Sequence, residues 1–155
     1  MSRARADRNG EVQVNERPSP PSNDIGAHDD IELRLGADLV HLPIIRSVAG
    51  TVATRADFDL DAIADLRLAV DEACSTLITS ALPGSTMVCR FVIRDGELRF
   101  TGAVVSNRSE APSTATFGWR VLTTLTDSAD GWVTSNGVGN LVHIELAKRK
   151  PVVGA

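Results

Sequence analysis

The sequence predicts an α/β fold, a two-layer sandwich in which a mainly antiparallel mixed sheet carries helices on one face. Three observations predict it. Apolar residues alternate with polar ones in several short segments, recur at helical spacing in others, and flank an Asp-Gly pair that is typical of a tight hairpin. The elements follow the order strand, helix, helix, strand, strand, helix, strand, strand, and such a chain buries one face of its sheet under its helices.

The first elements are predicted from residue spacing. Alternation over 31–35 predicts a strand. Apolar residues at helical spacing predict a helix over 40–54, and Pro43 must lie in its first turn, because a proline inside a helix costs about 3 kcal/mol. Arg46 lies off this apolar stripe, so we expect it to face solvent or a partner.

A longer helix and a hairpin follow. The helix is predicted over 60–81, with Asp59 or Asp61 as the residue that caps its start. Apolar runs on both sides of the Asp-Gly pair at 95–96 predict a hairpin with a primed turn. The remaining segments are a polar loop, a third helix and two strands, at 106–114, 117–125, 131–135 and 141–147.

Composition divides the chain into a tail and one domain. Residues 1–30 contain no leucine and no aromatic residue, and they include three closely spaced prolines. Such a segment buries too little apolar surface to offset its ordering entropy, so we expect a disordered N-terminal tail. A passive leader is preferred to a functional tail. The domain is expected over 31–148, followed by a short C-terminal tail at 149–155.

Charge and hydropathy exclude several functions. The 155 residues are 43% apolar, and 16 basic and 20 acidic side chains give a net charge of −4 without any long basic block. Direct nucleic-acid binding is therefore disfavoured. No apolar run approaches the roughly 18 residues of a membrane span, and the first residues do not form a secretory signal. We expect a cytoplasmic protein with reduced cysteines and no membrane partner.

Neither the histidines nor the cysteines indicate a metal site. His28, His41 and His143 are far apart in the sequence, and Cys74 and Cys89 lack the spacing of a metal-binding or redox motif. Cys89 alternates with apolar residues on a face that should be buried, which disfavours a disulfide between two copies of the chain. The sequence contains no GxxxxGK[ST] loop and no GxGxxG loop.

Two carboxylates in the middle of the long predicted helix are the most informative polar residues. Asp71 and Glu72 both lie on the solvent face in the simplest interpretation. Glu72 has Ala69, Ala73 and Thr76 around it at helical spacing, so a half-buried position is the alternative. A carboxylate in that position can act as a general base toward a water molecule or a hydroxyl.

The two predicted helices at the start of the domain resemble those of a known protein family. Residues 39–82 resemble the RsbW-type anti-sigma factors, which are serine kinases on the Bergerat ATPase fold shared with histidine kinases. The string LPIIRSVAGTVA is similar to the first helix of that family, and DLRLAVDEACSTLI is similar to its second helix, which carries the N-box. The predicted order of strands and helices over 31–148 is also that of the family.

The resemblance assigns roles to three residues. Glu72 falls on the N-box glutamate, which acts as general base in the family. Thr76 stands where the family has the asparagine that binds Mg²⁺, and a hydroxyl is a poorer ligand for that metal than an amide carbonyl. Arg46 falls on the first-helix arginine that contacts the sigma factor and the antagonist protein.

The expected nucleotide-binding loops depart further from the family. Where a DxGxG box is expected, the chain has SNRSEAPS, in which Asn107 can offer an adenine contact but no acidic acceptor. In the second box Gly118 matches a glycine and Thr116 replaces another, and Phe117 and Trp119 are expected to crowd the same space. Core packing of Trp119 is preferred to stacking on a ligand.

The resemblance implies two functions, and a third is kept as an alternative. The first is an anti-sigma factor with a degenerate ATP site, which sequesters an alternative sigma factor until an anti-anti-sigma antagonist releases it. The alternative is an active serine kinase that uses ATP and Mg²⁺, with Glu72 as base, to phosphorylate the anti-anti-sigma protein. The third is a scaffold that dimerises, and the family implies a homodimer through the sheet edge.

Overall fold

The computed structural model describes residues 30–135, 137 and 139–151. The predicted N-terminal tail lies outside these residues except for Asp30, and the predicted C-terminal tail is described only at 149–151. The first half of the domain contains β1 (Asp30–Gly36), a 3₁₀ turn (Leu39–His41), α1 (Leu42–Arg55) and α2 (Leu60–Ser80). The second half contains β2 (Thr86–Arg94), β3 (Glu97–Ser106), α3 (Phe117–Leu125), β4 (Ser128–Ser135) and β5 (Asn140–Arg149).

The five strands form one sheet in the order β1-β2-β3-β5-β4. Each pairing between the described strands is antiparallel, so the expectation of a mixed sheet is wrong in that respect. The topology explains the difference. The single helix α3 returns the chain so that β4 runs parallel to β3, but β5 lies between them and pairs with both.

Local signals account for the ends of these elements. Asp95 and Gly96 have φ values of 51° and 75°, as the predicted primed turn of the β2–β3 hairpin requires. Asp59, and not Asp61, caps α2, because its side chain accepts a hydrogen bond from the Ala62 N–H at 2.8 Å. Pro43 lies in the first turn of α1, as predicted.

The helices cover one face of the sheet and enclose the core. The largest fully buried side chains come from both layers and include Ile45, Leu66, Leu77, Met87, Phe91, Leu98, Phe100, Leu122, Ile144 and Leu146. Phe91 and Phe100 pack with their ring centroids 5.1 Å apart. Among the described residues, no helix combines the length and apolar character needed to span a membrane.

The two cysteines meet inside this core. Cys74 of α2 and Cys89 of β2 are fully buried, and their sulfur atoms are 4.0 Å apart. The contact with Cys89, together with burial, raises the pKa of the Cys74 thiol well above its ordinary value, so this thiol stays protonated. Since Cys89 faces the interior, it cannot reach a second copy of the chain, as the alternation predicted.

Gly102 sets the distance between α2 and the sheet, and its replacement by alanine tests that contact. A Cβ at Gly102 would lie 2.7 Å from Cδ1 of Leu77 and 3.2 Å from Cζ of Phe100. We expect Gly102→Ala to lower the free energy of unfolding by about 1–3 kcal/mol through overpacking, measured by urea denaturation. Gly36→Ala is the matched control, since its Cβ would meet His41 at an ordinary 3.7 Å. Equal losses in both variants would contradict the contact.

Candidate functional site

A cavity of about 380 Å³ opens between α2, α3 and the loop that joins β3 to α3. Polar side chains form most of its lining. The lining residues are Glu72, Thr76, Thr79 and Ser80 of α2, Arg108, Glu110, Pro112, Ser113 and Thr116 of the loop, Gly118 and Trp119 of α3, and Val142 of β5. We call this space the Glu72 cavity.

Glu72 is half-buried and lines the cavity, which is the alternative placement that its apolar neighbours suggested. Thr76 lies one helical turn further along α2, and its hydroxyl lies 3.4 Å from Oε2 of Glu72, within donating distance. The hydroxyl expected at the metal position is thus directed at the carboxylate. Asp71 points elsewhere, toward α1.

Gly118 allows the Glu72 carboxylate to reach the first turn of α3. A Cβ on Gly118 would lie 3.0 Å from Cδ of Glu72 and would overlap its Oε2. The N-terminal turn of a helix favours negative charge, because its N–H groups lack intrahelical partners. The carboxylate of the chain itself therefore lies beside the helix end that would otherwise attract an anion.

Thr116 has a structural role that the sequence comparison did not suggest. It is the N-cap of α3, and its hydroxyl accepts a hydrogen bond from the Trp119 N–H at 3.1 Å. A threonine just before an apolar helical segment is an ordinary capping signal, so the sequence contained the information. This cap gives a structural reason for a threonine at the position where the family has a glycine.

Trp119 and Phe117, the residues on either side of Gly118, differ in how far they are buried. Trp119 is 8% exposed and belongs to the hydrophobic core, as preferred, although its indole also forms part of the cavity wall. A Cβ on Gly131 would lie 3.3 Å from Cη2 of this indole, so β4 packs closely on it. Phe117 is 76% exposed and does not line the cavity, so the expectation that it crowds this space is wrong.

The loop before α3 contributes different residues to the cavity from the one that the family resemblance implied. Asn107 is exposed and does not belong to the lining of the Glu72 cavity; it borders a separate shallow depression with Arg108, Ser109 and Glu110. Arg108 and Glu110 line both spaces. Glu110 therefore contributes an acidic group to the cavity. Alignment with the DxGxG box of the family did not identify it, because side-chain directions in an irregular loop follow no periodic pattern.

Arg46 does not line the Glu72 cavity. Its Nε and Nη2 atoms donate to Oδ1 of Asp71 at 3.1 and 3.0 Å, and 39% of its side chain is exposed. It is off the apolar stripe, as predicted, but its guanidinium is held by α2. Leu39, Val40 and Ile44 nearby in the chain are 48%, 69% and 52% exposed. We call these four residues the α1 surface.

The cavity carries negative charge where α3 begins. The Glu72 carboxylate lies against Gly118, where a phosphate at the start of α3 would meet a like charge. Within the part of the chain that the structure describes, no group of three or more acidic, histidine or cysteine side chains can hold a metal. The cavity volume of about 380 Å³ lies within the range of about 300–1,000 Å³ for ligand pockets.

The chain is similar to proteins of known name. Over 99 residues it is 40% identical to anti-sigma-F factor RsbW of Mycobacterium tuberculosis, in both strain CDC 1551/Oshkosh and strain ATCC 25618/H37Rv. The match covers 63% of this chain and 58% of each relative, so the chain spans just over half the length of these curated relatives. No model of a protein family matches the chain.

A solved structure is similar in fold. It contains the RsbU and RsbW domains of a Mycobacterium tuberculosis protein, with a TM-score of 0.55 and 14% sequence identity, over 80% of this chain and 34% of the other. At this identity the similarity concerns the fold alone. Together with the sequence match it confirms the α/β two-layer fold class and the resemblance to the RsbW-type anti-sigma factors.

Replacement of Thr116 separates its capping role from a role in ligand binding. We expect Thr116→Ala to lower the free energy of unfolding by about 1 kcal/mol, because the N–H of Trp119 loses its acceptor. Thr116→Ser keeps a capping hydroxyl and should retain nearly all of this stability, both measured by urea denaturation. An alanine variant as stable as the wild-type protein would show that the hydroxyl does not cap α3.

Proposed function

Since this chain is homologous to the RsbW-type anti-sigma factors over 99 residues, we propose that it is an anti-sigma factor. It would bind an alternative RNA polymerase sigma factor in the cytoplasm and keep it from the polymerase. An anti-anti-sigma antagonist would release the sigma factor by competing for an overlapping surface, which requires only that the two complexes exclude each other. The observation that carries this proposal is the 40% identity to a protein named as an anti-sigma factor.

The α1 surface is the proposed contact. It contains Arg46 and the exposed apolar side chains of Leu39, Val40 and Ile44. Arg46 and Ile44 flank the buried Ile45 on opposite sides, because residues two positions apart in a helix do not share a face. Arginine is enriched at protein interfaces. Asp71 restrains the guanidinium of Arg46, which reduces the side-chain entropy lost when a partner binds. Both side chains of this ion pair are half-buried and still partly reach solvent, so a partner carboxylate can approach the Arg46 guanidinium beside Asp71.

We further propose that sigma binding does not depend on nucleotide. Two contacts and one position support this proposal: the Glu72 carboxylate against Gly118, the Thr76 hydroxyl directed at that carboxylate, and the position of Asn107 outside the Glu72 cavity. Gly118, Thr76 and Asn107 are residues that the family resemblance assigned to the nucleotide or its metal. The domain would then act as a binding module with a degenerate ATP site.

The serine kinase is the second candidate, and the position of Glu72 favours it. This carboxylate lines a cavity together with Arg108 and Glu110, which supports a role for Glu72 in accepting the proton of a serine hydroxyl from an antagonist protein. In this case Glu72→Ala would abolish phosphotransfer and leave sigma binding unchanged.

Co-purification from the native host tests both candidates. We expect tagged wild-type protein to retain a sigma factor, identified by mass spectrometry, equally with and without Mg-ATP in the wash. Glu72→Ala should retain it as well, whereas Arg46→Ala should lose about tenfold, because an arginine anchor is removed. Arg55→Ala is the matched control, since Arg55 is an exposed arginine in the last turn of α1.

Other results would change the proposal in defined ways. The absence of a sigma factor under both conditions would contradict the anti-sigma function. Retention that changes with Mg-ATP would contradict the nucleotide-independent mechanism and favour the kinase. Equal losses in the Arg46 and Arg55 variants would place the contact outside the α1 surface.

A further inference from the structure

A second surface of the helix layer has the features of a docking site. A groove of about 430 Å³ runs between α2 and α3, outside both the Glu72 cavity and the α1 surface. Most of the surface that lines it is apolar. The residues are Leu68 of α2 and Phe117, Arg120, Val121, Thr124 and Leu125 of α3. We call it the α2–α3 groove.

The groove exposes side chains that would otherwise be expected in a core. Phe117 is 76% exposed and Leu68 is 58% exposed. On α3, Trp119 and Leu122 face the core, whereas Phe117, Val121 and Thr124 follow at helical spacing on the outer side. α3 thus presents one row of side chains to the core and a second, mostly apolar row to the groove.

Arg120 places an uncompensated positive charge on this apolar surface. It is the only charged residue of α3 and forms no ion pair with any described residue. The carboxylates of the middle of α2 are directed elsewhere. Asp65 binds Lys148 at 3.2 Å, Asp71 binds Arg46 at 3.0 Å, and Glu72 faces its own cavity.

We infer that the α2–α3 groove binds an amphipathic helix of the sigma factor, with apolar side chains in the groove and an acidic side chain on Arg120. The inference rests on the proposed anti-sigma function. A helix laid in an apolar groove contributes side chains at i, i+3 or i+4, and i+7, which is the spacing that α3 itself offers. A carboxylate of the partner supplies a counter-ion, which none of the described residues provides to Arg120.

Two other occupants fit less well. In a symmetric contact with a second copy the same patch occurs on both sides, so the two Arg120 side chains would face a surface without any carboxylate. The segment 1–29 of this chain carries acidic residues, but its larger apolar residues are only Met1, Val12, Val14 and Ile25. It lacks the aromatic residues that contribute most strongly to binding at protein interfaces.

Variants in the groove test the inference on the full-length chain. The probe is the sigma factor captured by the wild-type protein, purified and titrated by calorimetry. We expect Phe117→Ser, Leu68→Ser and Arg120→Glu each to raise Kd at least about tenfold. Leu60→Ser is the matched control, because Leu60 is 83% exposed on α2 but outside the groove, and it should change Kd by no more than about twofold. Urea denaturation of each variant checks that the fold is kept.

The outcomes separate the two proposals. Wild-type protein that binds the sigma factor while all three groove variants bind it equally well would overturn the groove inference and leave the anti-sigma function standing. Wild-type protein that binds no sigma factor would overturn the proposed function itself. Groove variants that turn a dimer into a monomer in light scattering, with unchanged sigma affinity, would assign the groove to a second copy and overturn the inference.

Discussion

The packing of α2 on the sheet is the contact on which the rest of the structure depends. α2 buries eight side chains, and Leu77 meets the sheet where Gly102 leaves room for it. This contact fixes the rotation of the helix about its own axis, because any other rotation would expose the apolar stripe. Once that rotation is fixed, every remaining side chain of α2 has a defined direction.

Those directions separate the surfaces of the protein. Successive residues of an α-helix point about 100° apart, so neighbours in sequence serve different surfaces. Asp71 reaches α1 and holds Arg46, Glu72 turns into the cavity against Gly118, and Leu68 forms a wall of the α2–α3 groove. The single helix α2 therefore contributes side chains beside the α1 surface, in the Glu72 cavity and in the α2–α3 groove.

The fold could be predicted from sequence because its signals are local. Alternation, helical spacing and the Asp95-Gly96 turn each depend on residues close together in the chain, and all the predicted elements are present. The pairing of β5 between β3 and β4 is a long-range property, and the prediction of a mixed sheet failed for that reason.

The candidate site was predictable only in part. Glu72, Thr76, Thr116 and Gly118 do line one cavity. The position of Asn107 outside it and the outward direction of Phe117 depend on the course of an irregular loop and on the start of α3, which no local pattern defines. The ion pair between Arg46 and Asp71 depends on the register of α1 against α2, which is set by packing and not by either helix alone.

The proposed function requires that this domain hold a sigma factor without the help of a nucleotide. The most direct measurement is calorimetric titration of the purified sigma factor into the purified protein, in a buffer that contains EDTA and no nucleotide. The account predicts saturable binding under these conditions and an unchanged Kd when Mg-ATP is added. Binding that occurs only with Mg-ATP, or no binding under either condition, would contradict it.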